Sequence, residues 1–345
     1  MTISCVEPHF FKRRLKMSFR ISPIWWPVLI LAFPFIGPWL FVKNRRFQKN
    51  RVRSAKTNNE RIIKSTALNL PELDYLDLTV LVDWKTGDGF LGDAAVSYLC
   101  KTGLGSMLFD VGFGPDRPAL SHNAARLNFN LEQVDALTIS HLHSDHMGGL
   151  RAQRNRRVTV PEELLTKKVL PCYLPDKAEA DGFQTVLVKG PRLLTAGIAS
   201  TGPLARSLFV FGYTEEQALI ARIKGKGLVV ITGCGHPTIE VIMDMVKHLS
   251  NEPLYAIAGG LHFPVSGGRG NRAGIQFQTL IGTGKPPWKR ITEKDLGKTI
   301  AAINNITPQK VILSAHDTCD YSLERMKKEL NADTDVLRAG ETFRF

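Results

Sequence analysis

The feature that most constrains this chain is the six-residue run HLHSDH at positions 141–146, which sets three histidines and one aspartate side by side. It follows DALTIS, residues 135–140, an apolar run typical of a buried β-strand, and it precedes Gly148 and Gly149. A tight turn here would direct several imidazoles and a carboxylate into one small volume, and these ligands suit Zn²⁺, or Mn²⁺ and Fe²⁺ where oxygen donors dominate. The run therefore predicts a metal site at the end of a strand.

The rest of the chain predicts one α/β domain, because short β-rich runs alternate with helical patterns from about Thr57 to Phe345 without repeats. Predicted strands cover 76–82, 95–100, 106–112, 135–140, 217–223, 227–233, 254–260 and 310–316. Predicted helices cover 119–131, 238–249, 293–304 and 322–330, and a long loop is predicted after His262, from Ser266 to Gly274 and onward to 285–288. The residues able to do chemistry at or just after strand ends are Asp110, His141, Cys234, His236, His262 and His316. Since α/β folds collect site residues at such ends, we expect these side chains to converge.

The run HLHSDH resembles the HxHxDH motif of the metallo-β-lactamase superfamily, and other landmarks over residues 76–345 agree with it. LFDVG, TGCGHPTIE, AGGLHFP and LSAHDTC follow in the order of one branch, the proteins similar to 7,8-dihydropterin-6-methyl-4-(β-D-ribofuranosyl)aminobenzene 5′-phosphate synthase. The resemblance implies a four-layer αββα metallo-β-lactamase sandwich, preceded in this chain by one membrane-anchoring segment. It also implies a metal-dependent hydrolase.

A ligand set comes with the resemblance. It implies two divalent ions, expected to be zinc with manganese or iron as alternatives, and each would keep a position open for solvent. The first ion would be held by His141, His143 and His236, and the second by Asp145, His146 and His316. Asp110 would orient a ligand histidine through a hydrogen bond, with a loop-capping role as the alternative.

Two departures from the family pattern limit what can be carried over. Cys234 stands where most superfamily hydrolases have a metal-bridging aspartate, so this thiol either ligates a metal or is a small packed residue. Residues 316–319 read HDTC, whereas the branch often has HCTG, so the synthase activity does not transfer. His262 matches a histidine of the branch and is expected to contact a substrate phosphate or to donate a proton, with a structural role as the alternative.

These expectations combine into a dinuclear hydrolase in which the ions lower the pKa of a bridging water towards about 7, so that hydroxide attacks an ester, first of all a phosphoester. Asp145 would ligate a metal and accept a hydrogen bond from the nucleophile, and His262 or a metal-bound water would protonate the leaving group. A pterin-type condensing transferase, a lipid hydrolase and a lactonase on the same fold are the alternatives. A non-catalytic binding protein fits less well because the ligand set is full, and an oxygen-reducing di-iron centre would usually have a glutamate within the motif.

The N-terminal part predicts a membrane anchor. Residues 21–42 are uncharged and would span about 33 Å as a helix, with tryptophans towards both ends. We therefore expect a basic segment at 1–20, a transmembrane or anchoring helix at 21–42, a basic juxtamembrane linker at 43–70 and the folded domain at 71–345. Four prolines leave a kinked helix or a re-entrant segment open, and a cleaved signal peptide is the other alternative. Seven basic residues follow the run and five precede it, which favours a cytoplasmic domain.

The charge distribution argues against a nucleic-acid partner. Residues 1–56 hold 12 of the 45 lysines and arginines but one of the 32 acids, so the remainder has 33 basic and 31 acidic residues and is close to neutral. The expected partners are a small-molecule substrate, phosphorylated in the leading hypothesis, and a membrane. Five cysteines without a CxxC pair favour a reducing compartment over a disulfide framework.

Overall fold

Two β-sheets face each other and helices cover the outer side of each, in a computed structural model that describes residues 21–345 apart from the side chains at positions 271, 272 and 281. The predicted basic segment at 1–20 lies outside the described residues. The four layers confirm the predicted αββα sandwich, and a long apolar helix precedes it.

The elements alternate along the chain as the sequence predicts, with additional short strands. The helices are α1 Trp26–Lys64, α2 Ala119–Arg126, α3 Ser144–Met147, α4 Leu150–Asn155, α5 Ile239–Leu249, α6 Phe277–Ile281, α7 Glu293–Ile306 and α8 Asp320–Glu329. The first strands are β1 Glu72–Leu73, β2 Leu76–Val82, β3 Ser97–Thr102, β4 Gly105–Phe109, β5 Ala136–Thr138, β6 Arg157–Val158, β7 Leu170–Leu174, β8 Glu179–Ala180, β9 Phe183–Leu187 and β10 Arg192–Leu193. The others are β11 Ala199–Ser200, β12 Leu204–Leu208, β13 Gly212–Glu216, β14 Leu219–Ile223, β15 Gly227–Thr232, β16 Leu254–Gly259, β17 Asn271–Arg272, β18 Ile275–Gln276, β19 Lys310–Leu313, β20 Asp333–Val336 and β21 Thr342–Arg344.

Both sheets are mixed, and each brings parallel strands to the same edge of the sandwich. The first has the strand order β21-β2-β3-β4-β5-β7-β9, in which β4, β5, β7 and β9 are parallel. In the second, β10-β11-β14-β15-β16-β19-β20 with β1 beside β14, the strands β15, β16, β19 and β20 are parallel. The carboxyl ends of β5, β15, β16 and β19 are followed by predicted site residues.

Alternation along the strands divides the core into three layers. In β15, Val229 and Ile231 face the other sheet, whereas Leu228 and Val230 face α5, α7 and α8. A third cluster lies between the first sheet and α2 to α4. A side-chain period of two residues produces this division, and it explains why a strand buried on both faces reads as a continuous apolar run.

Helix α1 continues well beyond the predicted anchor. It runs through the predicted linker to Lys64 and is about 58 Å long at 1.5 Å per residue. Its apolar first half is exposed and is long and apolar enough to cross a membrane. Its second half lies against the β12–β13 hairpin, where Phe47 contacts Phe209 and the buried Asn58 side chain bonds both backbone groups of Ala205. The domain boundaries stay predictions, but residues 43–64 are helical.

Two regions differ from the sequence prediction. The hairpin β12–β13 was not predicted, because LARSL and GYTEE lack strict apolar alternation, and it is held instead by α1. The predicted loop after His262 contains the short hairpin β17–β18 and helix α6. The backbone of this hairpin contacts the start of α1, since Gly274 O accepts from Ser22 N (2.8 Å) and Ala273 O accepts from Trp25 Nε1 (2.8 Å).

The Asn58 contact gives a test of how firmly α1 is attached. Replacing Asn58 by Ala leaves the buried N–H and C=O of Ala205 without partners, so we expect a loss of about 2 kcal/mol in the free energy of unfolding. The measurement is urea unfolding of the full chain in detergent. Asn59→Ala, one residue on and exposed, is the matched control. Equal stability of the two variants would contradict the rigid attachment.

Candidate metal centre

The carboxyl ends of four strands meet at one edge of the sandwich, and the predicted site residues follow them directly. The turn after β5 is tight: Gly148 has φ +106°, and a Cβ there would lie 2.1 Å from the carbonyl oxygen of Thr159. This turn folds the run 141–146 back on itself, so that the rings of His141 and His146 lie 4.1 Å apart between centroids.

One group of metal-ligating atoms comprises Asp145, His146, Cys234 and His316, all within 4.8 Å of one another. The Cys234 Sγ lies 3.1 Å from His146 Nε2 and 3.3 Å from His316 Nε2. Asp145 Oδ2 is 3.5 Å from His146 Nε2. The three residues expected for the second ion are thus brought together, and the thiol lies among them.

The second group comprises His141, Cys234 and His236. His143, which the sequence predicts as a ligand beside them, is not within this group, although its Nδ1 lies 3.2 Å from His236 Nε2. The ring centroids of His141, His143 and His236 are 4.4, 4.9 and 5.0 Å apart. Cys234 therefore lies between the two expected ligand sets, as the bridging aspartate would in the family pattern.

An observation that is independent of the motif indicates that these residues fit a divalent metal. His141 Nε2, His143 Nε2 and His236 Nδ1 are buried and have no hydrogen-bond partner among the described residues. A buried polar atom without a partner is costly, and three such imidazole nitrogens in one volume are what a metal ion would satisfy. Imidazoles with a thiol favour zinc over magnesium or calcium.

Asp110 and Ser140 determine which nitrogen of His141 faces the centre. The Ser140 hydroxyl donates to Asp110 Oδ2 (2.6 Å), so its oxygen must accept from His141 Nδ1, 3.0 Å away. His141 therefore carries its proton on Nδ1 and presents an unprotonated Nε2. Asp110 Oδ2 also lies 2.7 Å from His146 Nδ1, which gives His146 the same orientation.

A second arrangement of the same kind, which the sequence analysis missed, acts on His316. The Ser314 hydroxyl donates to Asp83 Oδ2 (2.5 Å), and its oxygen lies 2.6 Å from His316 Nδ1. By the same reasoning His316 presents Nε2 to the centre. Asp83 also accepts from Tyr98 Oη and from the Ala315 N–H. Its position at the end of the strand 76–82 parallels that of Asp110, a signal that was available in the sequence.

Glu216 was also missed, and it positions the loop that carries Cys234 and His236. Its buried carboxylate accepts three consecutive backbone N–H groups, from Cys234 (3.0 Å), Gly235 (2.7 Å) and His236 (2.8 Å). A glutamate in the exposed-looking run TEEQ gives no sequence signal of burial.

Burial dominates the electrostatics of the site. It lowers the pKa of His143 to about 3 and that of His316 to about 4, which keeps both imidazoles neutral and able to bind a metal. Burial also raises the pKa of Asp83 and of Glu216 to about 7. His146 is different: burial alone would lower its pKa, but Cys234, Asp145 and Asp110 together raise it well above the usual value.

A cavity of about 290 Å³ opens onto this centre. Polar residues from the site line its floor, while its wall includes the aromatic residues Trp84, Phe113, Phe211 and Phe277. His262 lies beside it with Nε2 buried and without a partner among the described residues, and its φ of +57° is unusual for a histidine. Asp317, which the sequence did not single out, groups with His262 and Cys234.

Comparisons with known proteins agree with this geometry. The sequence pattern of the metallo-beta-lactamase superfamily matches residues 91–241. The 7,8-dihydropterin-6-methyl-4-(beta-D-ribofuranosyl)-aminobenzene-5'-phosphate synthase of Methanocaldococcus jannaschii is 27% identical, over 41% of this chain and 60% of that protein. The match thus spans 60% of the length of this curated relative.

Among solved structures, a metal-dependent hydrolase of the beta-lactamase superfamily is similar with a TM-score of 0.55 and 20% identity, covering 78% of this chain and 98% of that one. The metallo-beta-lactamase fold protein YhfI from Bacillus subtilis has a TM-score of 0.46 and 17% identity, over 79% and 100% of the two chains. The first of these similarities shows that the two chains share a fold. The superfamily pattern matched over residues 91–241 and this fold agree with the resemblance predicted from the motif at 141–146.

Asp83 provides a test of the orienting carboxylates. Asp83→Asn removes the negative acceptor behind Ser314 and His316, and we expect zinc affinity to fall by about 10- to 100-fold. The measurement is competition of the full chain with a chromophoric chelator. Asp77→Asn, on the same strand at the surface, is the control, and an unchanged affinity for Asp83→Asn would contradict the role.

The Asp83→Asn variant should also change the pH dependence of stability, which a change in packing alone would not alter. Between about pH 4 and pH 7 the folded chain holds a proton on Asp83 that the unfolded chain has released, so this group makes stability fall as pH rises through that window. In urea unfolding of the metal-free chain, Asp83→Asn should have a smaller slope of stability against pH there. Part of the pH dependence should remain in this variant, because the pKa of Glu216 is also raised to about 7.

Proposed function

We propose that this chain is a membrane-anchored, dinuclear metal-dependent hydrolase that cleaves an ester, with a phosphoester as the first choice. The observation that carries the proposal is the pair of ligand groups sharing Cys234, beside three buried imidazole nitrogens without partners. When bound, two divalent ions, zinc in the first place, would polarise the scissile group and lower the pKa of a water. A non-catalytic protein would have no need for two neighbouring groups at the floor of an open cavity.

The ligand roles follow the two sets. His141, His143 and His236 would hold one ion, and Asp145, His146 and His316 the other. Cys234 is proposed to contact both ions, because its sulfur lies within reach of each set. Asp110 and Asp83 are proposed to keep the ligand nitrogens unprotonated through Ser140 and Ser314.

The remaining residues would handle the proton and the substrate. His262 is proposed to donate a proton to the leaving group, because its Nε2 is buried, unpartnered and at the wall of the cavity. Asp317 Oδ2 lies 3.5 Å from His262 Nδ1 and would hold that ring in place. Asp145 would accept a hydrogen bond from the attacking nucleophile, since the neighbouring histidines keep the pKa of its carboxyl below the usual value against the effect of burial.

Metal content and turnover test this proposal together. We expect about two equivalents of zinc, manganese or iron in the full chain, and hydrolysis of a phosphodiester that is lost on chelation and restored by the metal. His143→Ala and Asp145→Ala should each lose metal and at least about 100-fold in kcat. His248→Ala, an exposed histidine on α5, is the control. A folded chain that takes up no metal under any loading condition would overturn the proposal.

The anchor is proposed to lie along the domain rather than to stand apart from it. Ser22 and Trp25, at the start of the apolar stretch, bond the β17–β18 hairpin, and Lys43, at its end, donates to Val210 O (3.3 Å). The stretch between them covers about 27 Å. Both contact points belong to segments that border the cavity, so the apolar helix and the mouth of the site are proposed to face the same membrane, with the basic residues after Val42 at its cytoplasmic surface.

A second candidate function, a hydrolase of membrane lipids, is favoured by the aromatic residues at the mouth. Phe211, Phe277 and Trp288 are exposed by 37%, 41% and 51%, and the carbonyl oxygen of Val210, next to Phe211, accepts from Lys43 of α1. Such a rim would suit an amphiphile whose apolar chain stays in the bilayer while its head group reaches the metals. A soluble substrate offers no reason for these exposed rings.

Two substrates with the same ester head group, one held in vesicles and one in solution, distinguish the two candidate functions. Phe277→Ser should lower kcat/KM about tenfold on a long-chain ester in vesicles and leave a short-chain soluble ester unaffected. Leu165→Ser, of similar exposure but distant from the cavity lining, is the control. Equal losses on both substrates would remove the lipid candidate.

A further inference from the structure

A small cavity of about 50 Å³ lies behind the metal centre and shares His236, His262 and Gly282 with the larger one. This volume has room for about four water-sized groups. Its wall combines Arg206 with Thr283 and the first residues of α5. None of these belongs to the ligand sets or to the proposed proton path.

Arg206 is the main positive charge at this cavity. Within the described part of the chain its guanidinium has no hydrogen bond or ion pair, although Glu240 attracts it and Arg51 repels it at longer range. Burial lowers the pKa of Arg206, yet a guanidinium stays charged near neutral pH. A largely buried charge without a partner is unfavourable unless a ligand supplies one. Glu240, the acid that attracts it, already accepts from Thr299 (3.0 Å).

Two further donors point to the same volume. Thr283 is 7% exposed, and its Oγ1 is buried without a partner among the described residues. Helix α5, 11 residues long, begins at Ile239 with no side-chain cap on its N–H groups, and Thr238 and Ile239 line the cavity. A helix N-terminus with free N–H groups favours an anion.

The loop that carries Thr283 approaches Arg206 and His262 closely. Gly284 has φ +64°, and a Cβ there would lie 2.6 Å from Arg206 Nε. A Cβ at Gly282 would lie 2.4 Å from His262 Nε2. Two glycines therefore allow the backbone of 282–284 to fold over both basic side chains.

We propose that Arg206, Thr283 and the N-terminus of α5 bind a phosphate group that the substrate carries in addition to the ester under attack. This proposal rests on the proposed function. It defines the substrate as a molecule with two ester groups: a phosphomonoester, which binds in this cavity, and a second ester, which is cleaved at the metals. The phosphate accepts from the guanidinium, the hydroxyl and the helix N–H groups, and His262 lies between it and the metal centre.

Phosphate binding tests the subsite directly. We expect calorimetric titration of the metal-loaded full chain with inorganic phosphate to show binding that Arg206→Gln weakens about tenfold or more, and Thr283→Val about threefold. Thr283→Ser should retain the wild-type affinity, and Arg206→Lys should be intermediate because it keeps the charge but not the planar fork. Arg192→Gln, an exposed arginine on β10, is the control. Wild-type affinity in Arg206→Gln and Thr283→Val would overturn the proposal.

Repeating the titration after chelation separates this subsite from phosphate bound at the metals. Arg206-dependent binding that survives chelation supports the subsite even where no hydrolysis is found, so its failure and that of the hydrolase are distinguishable. Glycerol phosphate should compete with inorganic phosphate in the wild type but not in Arg206→Gln. If inorganic phosphate binds and the monoester does not, the assignment to an esterified phosphate is overturned.

Discussion

Two serine hydroxyls hold the centre of this molecule in a form that can bind metal. A hydroxyl has one proton, and Ser140 and Ser314 each donate theirs to a buried aspartate, Asp110 or Asp83. Each oxygen must then accept from a histidine Nδ1, which fixes the tautomer and turns an unprotonated Nε2 inward. Asp110 and Ser140 both follow strands of the first sheet, whereas the other hydrogen-bond chain joins Asp83 of the first sheet to Ser314 of the second. Ligand geometry in both halves of the site therefore rests on two short hydrogen-bond chains and not on the histidines alone.

The sandwich makes these chains possible because it hides them from water. Asp83, Asp110 and Glu216 are buried at strand ends, where backbone N–H groups left over from the sheets can satisfy them. Glu216 takes three such groups from the loop bearing Cys234, so main-chain contacts hold the thiol of Cys234 in place. Burial disfavours the charged form of these carboxylates and raises the pKa values of Asp83 and Glu216 to about 7, and the hydrogen-bond donors offset part of that effect. The scaffold thus gives up stability in order to keep the ligands oriented.

The sequence predicted what short-range patterns encode. The run 141–146 predicted the superfamily whose pattern matches residues 91–241, and the doubly buried strands were located because continuous apolar runs mark them. Pairings between distant segments were not predictable. The hairpin 204–216 owes its stability to α1, more than 140 residues away in sequence, through Asn58 and Phe47. Arg206 lies on that hairpin, and nothing in LARSL indicates that Arg206 lines a small cavity, because a single arginine on a strand is usually solvated. Asp83 could have been found, since it ends its strand as Asp110 does.

The two sides of the cavity differ in character, and together they restrict the substrate more than either does alone. One side offers the unpaired charge of Arg206 behind His262, and the other offers Phe211 and Phe277 beside the apolar helix. A substrate that satisfies both has an anionic end, an apolar end and the scissile ester between them. Phe211 stacks at 4.4 Å on His143 and belongs to the hairpin that α1 holds, so the position of the helix and that of a proposed ligand are mechanically joined. Displacing α1 would therefore disturb the metal site and the apolar rim together, whereas the anion subsite at α5 would keep its helix N-terminus, which belongs to a different layer of the sandwich.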